Sequence, residues 1–331
     1  MTLLLNEQQI ENLITVSDIN DIVDKTFIDF GEDKVVNPTK VSLDLGETGN
    51  WPDYEGFMNA MPAYVNWLDV AGLKWVGGFA GKRKEANLPY ITALIQLIDP
   101  KLGTFTAVMD GSYISNMRTG SQAAVALKYL GKKDSVTIGM YGAGLQARKA
   151  VMCIADLFNI ERLVVWNHRR VTAEKFKTDM EEYVKGEIIL ADPDHPEQAA
   201  DNDALFTFTP AQEPFLTRKM IKSGTIVFPM GSFVEITEDI ILEADKIIVD
   251  HIDQALHRGV LKPLTKKGKI SEENIYCTMG ELAANKVKLT DISKEIIVCI
   301  PIGTGALDVA VAEVVRRRAL DKGVGSHFDF I

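Results

Sequence analysis

A glycine-rich turn between an apolar run and a helix constrains the fold of this chain more than any other feature. Residues 135–140 are apolar and lead through Tyr141 into Gly142-Ala143-Gly144-Leu145-Gln146-Ala147, where helical spacing begins. Gly142 permits a tight turn, Gly144 lacks a Cβ where a diphosphate would approach, and Ala147 allows close packing of helix on strand. The helix amino terminus adds free N–H groups. The pattern predicts a dinucleotide-binding loop, and a tight turn without a ligand is the alternative.

Short apolar segments alternate with helical spacing through the second half of the chain. They lie at residues 135–140, 163–166, 187–190, 204–209, 225–229, 246–249 and 295–300. Continuous Val/Ile runs are typical of strands that are buried on both faces. We therefore predict a Rossmann-type α/β domain, a doubly wound parallel sheet, over residues 131–305.

The first part of the chain has a different pattern. Helical spacing over residues 6–30 is followed by strand-like segments, at residues 41–45, 73–76, 90–98 and 104–109, and by a long helix over residues 112–130. These segments predict an α+β domain with a largely antiparallel sheet. The apolar helix over residues 306–319 lies outside the Rossmann pattern. We expect it to complete a discontinuous first domain, made of residues 1–130 and 306–331.

Composition excludes several other classes of protein. The net charge of −10 argues against nucleic-acid binding, and the three cysteines form no C-x-x-C pair, so no metal site is expected. No apolar stretch approaches the ~18 residues of a membrane span. We expect a cytoplasmic protein that does not bind membranes.

The end of the second Rossmann strand distinguishes the two nicotinamide cofactors. An NAD site usually places Asp or Glu there, to bind the ribose 2′-hydroxyl. Here Asn167 stands at that point and is followed by Arg169 and Arg170. A neutral amide beside guanidinium groups suits a 2′-phosphate, which predicts NADP(H) with NAD(H) as the alternative; a solvated basic helix start is the non-functional interpretation.

Three cations in the first domain are candidates for binding an anionic substrate. Lys74 interrupts the apolar run at residues 73–76, and burial there would lower its pKa towards the range of proton transfer. Arg118 lies early in a helix of small residues and suits a carboxylate. Lys40 is the third candidate. A surface position is the alternative for Lys74 and Arg118.

Several runs together resemble the ornithine cyclodeaminase/mu-crystallin family. They are residues 59–64 with Met61-Pro62, residues 72–76 with Lys74-Trp75, residues 107–111, Arg118-Thr119-Gly120 and residues 142–147. Residues 248–250 and 324–326 resemble the archaeal alanine dehydrogenase branch of the family, and Trp166-Asn167 resembles a segment of its ketimine reductases.

The resemblance implies a homodimer whose first domain binds substrate and dimerises. It implies that Lys40, Lys74 and Arg118 hold the carboxylate and amine region of the substrate, and it assigns Asp308 to the same site. It places Thr119, Thr207 and Thr209 near the nicotinamide half of the cofactor, and Gly231 is assigned to the cofactor site as well.

One departure from the family narrows the expected activity. Cyclodeaminases and alanine dehydrogenases of the family carry an aspartate after the strand that ends near Gly231, and here Phe233 takes that position while Glu235 lies out of register. Ring closure needs a base that activates the side-chain amine. We therefore expect an oxidoreductase that acts on the C–N bond of a small α-amino or α-imino acid, either a ketimine reductase or an enzyme like alanine dehydrogenase, with Lys74 as the proton-transfer group. The alternatives are a cyclodeaminase-type lyase, an amino-acid-condensing synthase that uses bound NAD, and a non-catalytic mu-crystallin-like binding protein.

Overall fold

The chain divides into two compact units. In a computed structural model, which describes residues 1–46, 49, 51–79, 82–131, 134–231, 233–290 and 292–330, unit 1 comprises residues 1–118 with 304–331, and unit 2 comprises residues 119–303. The first division falls inside the helix Ser112–Tyr129, whereas the sequence boundary was placed at the end of that helix. The helix Ser112–Tyr129 is continuous where unit 1 ends, so the residue pattern of the helix does not reveal the unit boundary.

The secondary structure follows in chain order. The strands are β1 (Thr2–Leu5), β2 (Val35–Val36), β3 (Val41–Asp44), β4 (Gly56–Val65), β5 (Val70–Phe79), β6 (Ile91–Ile98), β7 (Phe105–Asp110), β8 (Ser135–Tyr141), β9 (Asn159–Trp166), β10 (Glu187–Leu190), β11 (Ala204–Thr207), β12 (Ile226–Pro229), β13 (Lys246–Val249), β14 (Cys277–Thr278), β15 (Ile297–Ile300) and β16 (Ser326–Phe328). The helices are α1 (Glu7–Glu11), α2 (Val16–Gly31), α3 (Lys82–Glu85), α4 (Ser112–Tyr129), α5 (Leu145–Leu157), α6 (Arg170–Met180), α7 (Glu238–Leu242), α8 (Ile252–His257), α9 (Lys262–Lys266), α10 (Met279–Ala283) and α11 (Gly305–Lys322).

Unit 1 contains the predicted largely antiparallel sheet. Its strand order is β16-β1-β7-β6-β5-β4-β2, with β3 paired to β4, and β1 runs parallel to β7 while the other pairs are antiparallel. The sequence prediction missed β1, β2, β4 and β16. Strands β1, β2 and β16 are short, and β4 contains Pro62, a residue that weakens a strand pattern.

Helix α11 is the core helix of unit 1. It packs against β4, β5, β6 and α2, and most of its residues are buried. Its first residue, Gly305, lies against the backbone carbonyl of Met61 in β4, and a Cβ at this position would overlap that oxygen. Glycine therefore allows α11 to approach the sheet closely, and this approach brings Asp308, one turn further along, over β5.

Unit 2 contains the predicted parallel sheet. Its order is β10-β9-β8-β11-β12-β15-β13-β14, every pair is parallel, and the Rossmann-type fold is confirmed. From β8 the chain builds β9 and β10 on one side, and then crosses to build β11 and β12 on the other. The order reverses between β8 and β11, which is where doubly wound sheets bind ligands.

The end of β11 and the short strand β14 are two places where unit 2 differs from the prediction. Strand β11 ends at Thr207 rather than at residue 209, because the backbone N–H of Thr209 donates to a side-chain carboxylate instead of a neighbouring strand. The prediction also missed β14, which has only two residues.

None of the described helices combines the length and apolar character needed to cross a membrane.

Candidate active site

The glycine-rich loop of unit 2 has the local geometry of a phosphate cradle. Gly142 has a φ of +99°, a conformation that L-residues with a Cβ rarely adopt, and its N–H donates to the carbonyl of Trp166 at 2.9 Å. Gly144 caps α5 with extended backbone, and no atom lies within 4 Å of where its Cβ would be. The N–H groups of the first turn of α5, from Leu145 to Ala147, have no partner within the helix. These residues fit a dinucleotide diphosphate.

Arg148 stabilises this loop from the side, a role that the sequence prediction missed. Its guanidinium donates to the carbonyls of Ala143 and Gly144 and pairs with Asp179 of α6 at 2.9 Å, while it stacks over the ring of Phe176. The shape of the loop is therefore fixed without a ligand. The signal for this role is a basic residue one turn into the helix after a glycine-rich loop.

The structure separates the two arginines that follow β9. The guanidinium of Arg170 lies 3.3 Å from the Glu174 carboxylate and 3.4 Å from the carbonyls of Leu190 and Ala191. Arg169 is the exposed N-cap residue of α6 and makes no side-chain hydrogen bond or ion pair with the residues that the structure describes. Asn167 is buried, and its amide donates to the Arg169 carbonyl at 2.9 Å. Arg169 is thus the cation available to a ligand at this strand end.

Glu235 joins three of the predicted cofactor residues. Its carboxylate accepts hydrogen bonds from the Thr207 hydroxyl at 2.7 Å, from the Thr209 N–H at 2.6 Å and from the Thr209 hydroxyl at 2.9 Å. The backbone of Gly231 also donates to it. Burial raises the pKa of this carboxyl, and the hydrogen bonds oppose the rise. The ends of β11 and β12 are therefore bound to one buried side chain.

The surroundings of Phe233 and Glu235 bear on whether either residue can take the role of the family aspartate. Phe233 is half-buried, and Glu235 is fully buried with both oxygens occupied by donors. Because its hydrogen bonds are used within the protein, Glu235 is not available as a base for a substrate.

In unit 1, Lys74, Arg118 and Asp308 form one buried ionic cluster. The Lys74 ammonium lies 2.6 Å from Oδ2 of Asp308, and the Arg118 Nε lies 3.0 Å from Oδ1. The ammonium also donates to the Ser115 hydroxyl at 3.2 Å. The exposed fraction is 1% for the Lys74 side chain and 0% for that of Asp308. β5, α4 and α11 each contribute to the cluster.

Burial gives Lys74 an acid–base property that a surface lysine lacks. Removal from water and then the charge of Arg118 lower the pKa of Lys74, Asp308 opposes both effects, and together they bring the pKa to about 8. A lysine in this range can give up or accept a proton near neutral pH. With two cations and one carboxylate, the cluster also carries an excess positive charge that suits a second carboxylate.

Lys40 and Thr119 belong neither to the ionic cluster of Asp308 nor to the hydrogen bonds around Glu235. Lys40 is half-buried in the segment before β3, and among the described residues it is not one of the cations paired with Asp308. Thr119 is half-buried in α4 and is the first residue of unit 2. Sequence analysis missed Ser115, although its spacing of three residues from Arg118 places both on one face of a helix.

The comparison with family models agrees with the fold and with the motifs. The model of the ornithine cyclodeaminase/mu-crystallin family matches residues 1–323. The protein belongs to this family, and the resemblance inferred from its motifs is confirmed.

Individual relatives match the chain over nearly its whole length. Alanine dehydrogenase from Archaeoglobus fulgidus is 32% identical over 99% of this chain and 98% of its own. A structure of an archaeal alanine dehydrogenase dimer with bound NAD has a TM-score of 0.89 at 31% identity, covering 100% of this chain and 99% of that one. The Thermococcus litoralis Δ1-pyrroline-2-carboxylate reductase, in complex with NADH and L-proline, has a TM-score of 0.88 at 28% identity, covering 99% and 100%.

We expect Gly144→Ala to weaken dinucleotide binding while the protein remains folded. The added methyl group meets open space and the φ of −84° is allowed for alanine, so stability changes little, but the methyl group occupies the approach to the first turn of α5. Calorimetric titration with NADH and NADPH is expected to show affinity reduced by about tenfold or more, that is, by at least about 1.4 kcal/mol. Leu242→Ala, at an exposed position at the end of α7, is the control. Unchanged affinity in Gly144→Ala would show that the loop is not the diphosphate site.

Proposed function

We propose that this protein is an NAD(P)-dependent oxidoreductase that acts on the C–N bond of a small α-amino or α-imino acid. The observation that carries the proposal is the buried cluster of Lys74, Arg118 and Asp308, which offers a carboxylate-binding charge together with a lysine whose pKa lies near neutrality. The full-length similarity to an alanine dehydrogenase and to a pyrroline-2-carboxylate reductase supports the same class of reaction. The three free cysteines suit a reducing, cytoplasmic setting.

Arg118 is the group that we assign to the substrate carboxylate. A guanidinium binds a carboxylate through parallel N–H bonds, and Arg118 belongs to a buried cluster with an excess of positive charge, where its Nε lies 3.0 Å from Asp308 Oδ1. Asp308 orients both cations, and Lys40 is a further candidate for the carboxylate. Arg118 would fix the α-carbon of the substrate by holding its carboxylate.

Lys74 is the group that we assign to proton transfer. In the reductive direction the imine nitrogen must be protonated as its carbon accepts a hydride, and a charged Lys74 can supply that proton. In the oxidative direction a neutral Lys74 can accept a proton from the amine. The bound nicotinamide cofactor supplies or accepts the hydride at C4.

The same geometry favours an oxidoreductase over a cyclodeaminase-type lyase. Ring closure requires a base near the substrate side chain, and the loop after β12 offers Phe233 and a buried Glu235 whose oxygens accept from Thr207 and Thr209. Neither side chain provides that base. The synthase and the non-catalytic binding protein remain as outcomes of the assay below.

The proposal is tested by incubating the protein with NADPH or NADH and a panel of imino acids. We expect net cofactor oxidation, and we expect Lys74→Met to lower turnover by about 10²–10⁴-fold while cofactor affinity is retained. Because proton donation requires charged Lys74, the reductive rate is expected to fall as the pH rises through about 8, and the oxidative rate to rise.

The control for the substitution is Lys101→Met, which removes an exposed lysine of unit 1. Ammonia release from ornithine without net cofactor change would instead identify a lyase, and tight cofactor binding without any turnover would identify a binding protein. Full activity in Lys74→Met would refute the role of Lys74.

We propose a preference for NADP(H) on the basis of Asn167 and Arg169. The relatives whose structures hold NAD or NADH show that a nicotinamide dinucleotide suits this fold, and the 2′-phosphate preference rests on the exposed Arg169 and on the missing carboxylate. Arg170 is the weaker candidate, because its guanidinium already contacts Glu174 and two carbonyls.

Arg169→Ala is expected to weaken NADPH binding by about tenfold or more while NADH binding changes little, because only NADPH loses a charge-assisted hydrogen bond. Fluorescence titration of the two reduced cofactors measures this difference. Arg170→Ala is the matched control, with the smaller expected effect. Equal affinity of the unaltered protein for both cofactors would exclude the preference.

We also propose that the outer face of the unit 1 sheet forms a homodimer. Val41, Ala60, Trp75 and Leu94 are cross-strand neighbours on β3 to β6, and they lie on the face opposite Lys74. Val41, Trp75 and Leu94 are 69%, 47% and 50% exposed. A contiguous row of exposed apolar side chains on a sheet is typical of an interface. We assign a second copy of this chain to it, as in the alanine dehydrogenase dimer of similar fold.

Leu94→Lys is expected to convert the dimer into a monomer, because a buried interface would have to accommodate an unpaired charge. Size-exclusion chromatography with light scattering measures the mass, and Leu242→Lys, at an exposed site of unit 2, is the control. A dimer that persists in Leu94→Lys at micromolar concentration would place the interface elsewhere.

A further inference from the structure

Glu235 is a buried carboxylate that contacts no cation in the part of the chain that the structure describes. Its exposed fraction is 0%, and among the described residues its partners are all neutral donors: Thr207, Thr209 and Gly231. A buried charge is ordinarily paired with an opposite charge or coordinates a metal. In unit 1 the carboxylate of Asp308 follows this rule with two cations, and Glu235 departs from it.

The position of Glu235 indicates which charge is absent. The side chain binds the carboxyl ends of β11 and β12, on the side of the switch point away from β9 and β10. A dinucleotide at a doubly wound sheet spans the switch point, with its adenosine half on the side of the second strand. Its nicotinamide half then lies over the ends of β11 and β12. The nicotinamide ring is a cation when oxidised and is neutral when reduced.

We propose that Glu235 is the electrostatic partner of the oxidised nicotinamide ring and positions the Thr207–Thr209 segment beside it. The inference rests on the proposed function, because it requires the cofactor to bind at this sheet. The carboxylate strengthens binding of the oxidised cofactor and leaves binding of the reduced cofactor nearly unchanged. A purely structural Glu235 would affect both forms alike.

The hydrogen bonds of Glu235 also determine what the partly exposed Thr209 presents to a ligand, whereas Thr207 is fully buried behind it. Both hydroxyl groups donate to the carboxylate, so each hydroxyl proton is used and the oxygen lone pairs remain as acceptors. The hydroxyl of Thr209, which is half-buried, additionally accepts from the Ala211 N–H at 3.3 Å. Glu235 therefore makes this strand end an acceptor surface next to the cationic ring.

The test compares the affinities of oxidised and reduced cofactor in Glu235→Gln. We expect the dissociation constants of NAD⁺ and NADP⁺ to rise about tenfold, because removing one charge about a nanometre away in a partly desolvated site has an effect of this size. We expect the dissociation constants of NADH and NADPH to change less than about twofold, because the reduced ring is neutral. Binding of ADP-ribose, which lacks the nicotinamide ring, is expected to stay unchanged. Glu281→Gln is the matched control, since Glu281 also accepts from a threonine N–H and hydroxyl, at the start of α10.

Two further results make the test decisive. Glu235→Asp keeps the charge, so both redox forms are expected to weaken by the same factor, and a loss confined to the oxidised form in this variant overturns the proposal even if Glu235→Gln does not fold. Equal losses of both forms in Glu235→Gln, with ADP-ribose binding intact, overturn this inference alone. Failure of ADP-ribose to bind the unaltered protein overturns the cofactor assignment and this inference with it.

Discussion

The ion pair between Lys74 and Asp308 is the interaction on which the architecture of unit 1 depends. Moving either charge out of water costs several kcal/mol, and removing Asp308 takes away the carboxylate that the buried Lys74 ammonium contacts. The two residues belong to β5 and α11, which are more than 200 positions apart in the chain, and Arg118 joins them from α4. Unit 1 can therefore satisfy its buried charges only when the C-terminal helix has returned to the sheet.

Unit 2 uses a buried carboxylate in a different way. Glu235 receives neutral donors from the ends of β11 and β12, so it orders two loops without bringing a cation into the sheet. The glycine-rich loop before α5 is likewise stabilised by carbonyl contacts to Arg148. Each element at this edge is preorganised by residues of the same unit, which lowers the entropy that a ligand must lose on binding.

The sequence predicts what local chemistry determines and misses what long-range pairing determines. The loop from Gly142 to Ala147 and the buried parallel strands follow from glycine spacing and apolar runs, and Lys74 is conspicuous because it interrupts such a run. The pairing of Lys74 with Asp308 depends on a helix that returns from the far end of the chain. The guanidinium of Arg170 contacts a carbonyl at the end of β10, which is also distant in the chain. Sequence alone therefore could not show that Arg170, and not Arg169, is bound within the protein.

The charge of the Lys74 cluster links substrate binding to proton transfer in the proposed reaction. With Lys74 protonated, two cations face the single carboxylate of Asp308, and the cluster attracts a substrate carboxylate. With Lys74 neutral, that attraction is largely lost. Binding of an anionic imino acid therefore favours protonated Lys74, which is the form that reduction requires, and by linkage the bound carboxylate raises the pKa of Lys74. Oxidation needs neutral Lys74 in the presence of the same carboxylate, so near neutral pH the oxidative rate is limited by the small fraction of neutral Lys74.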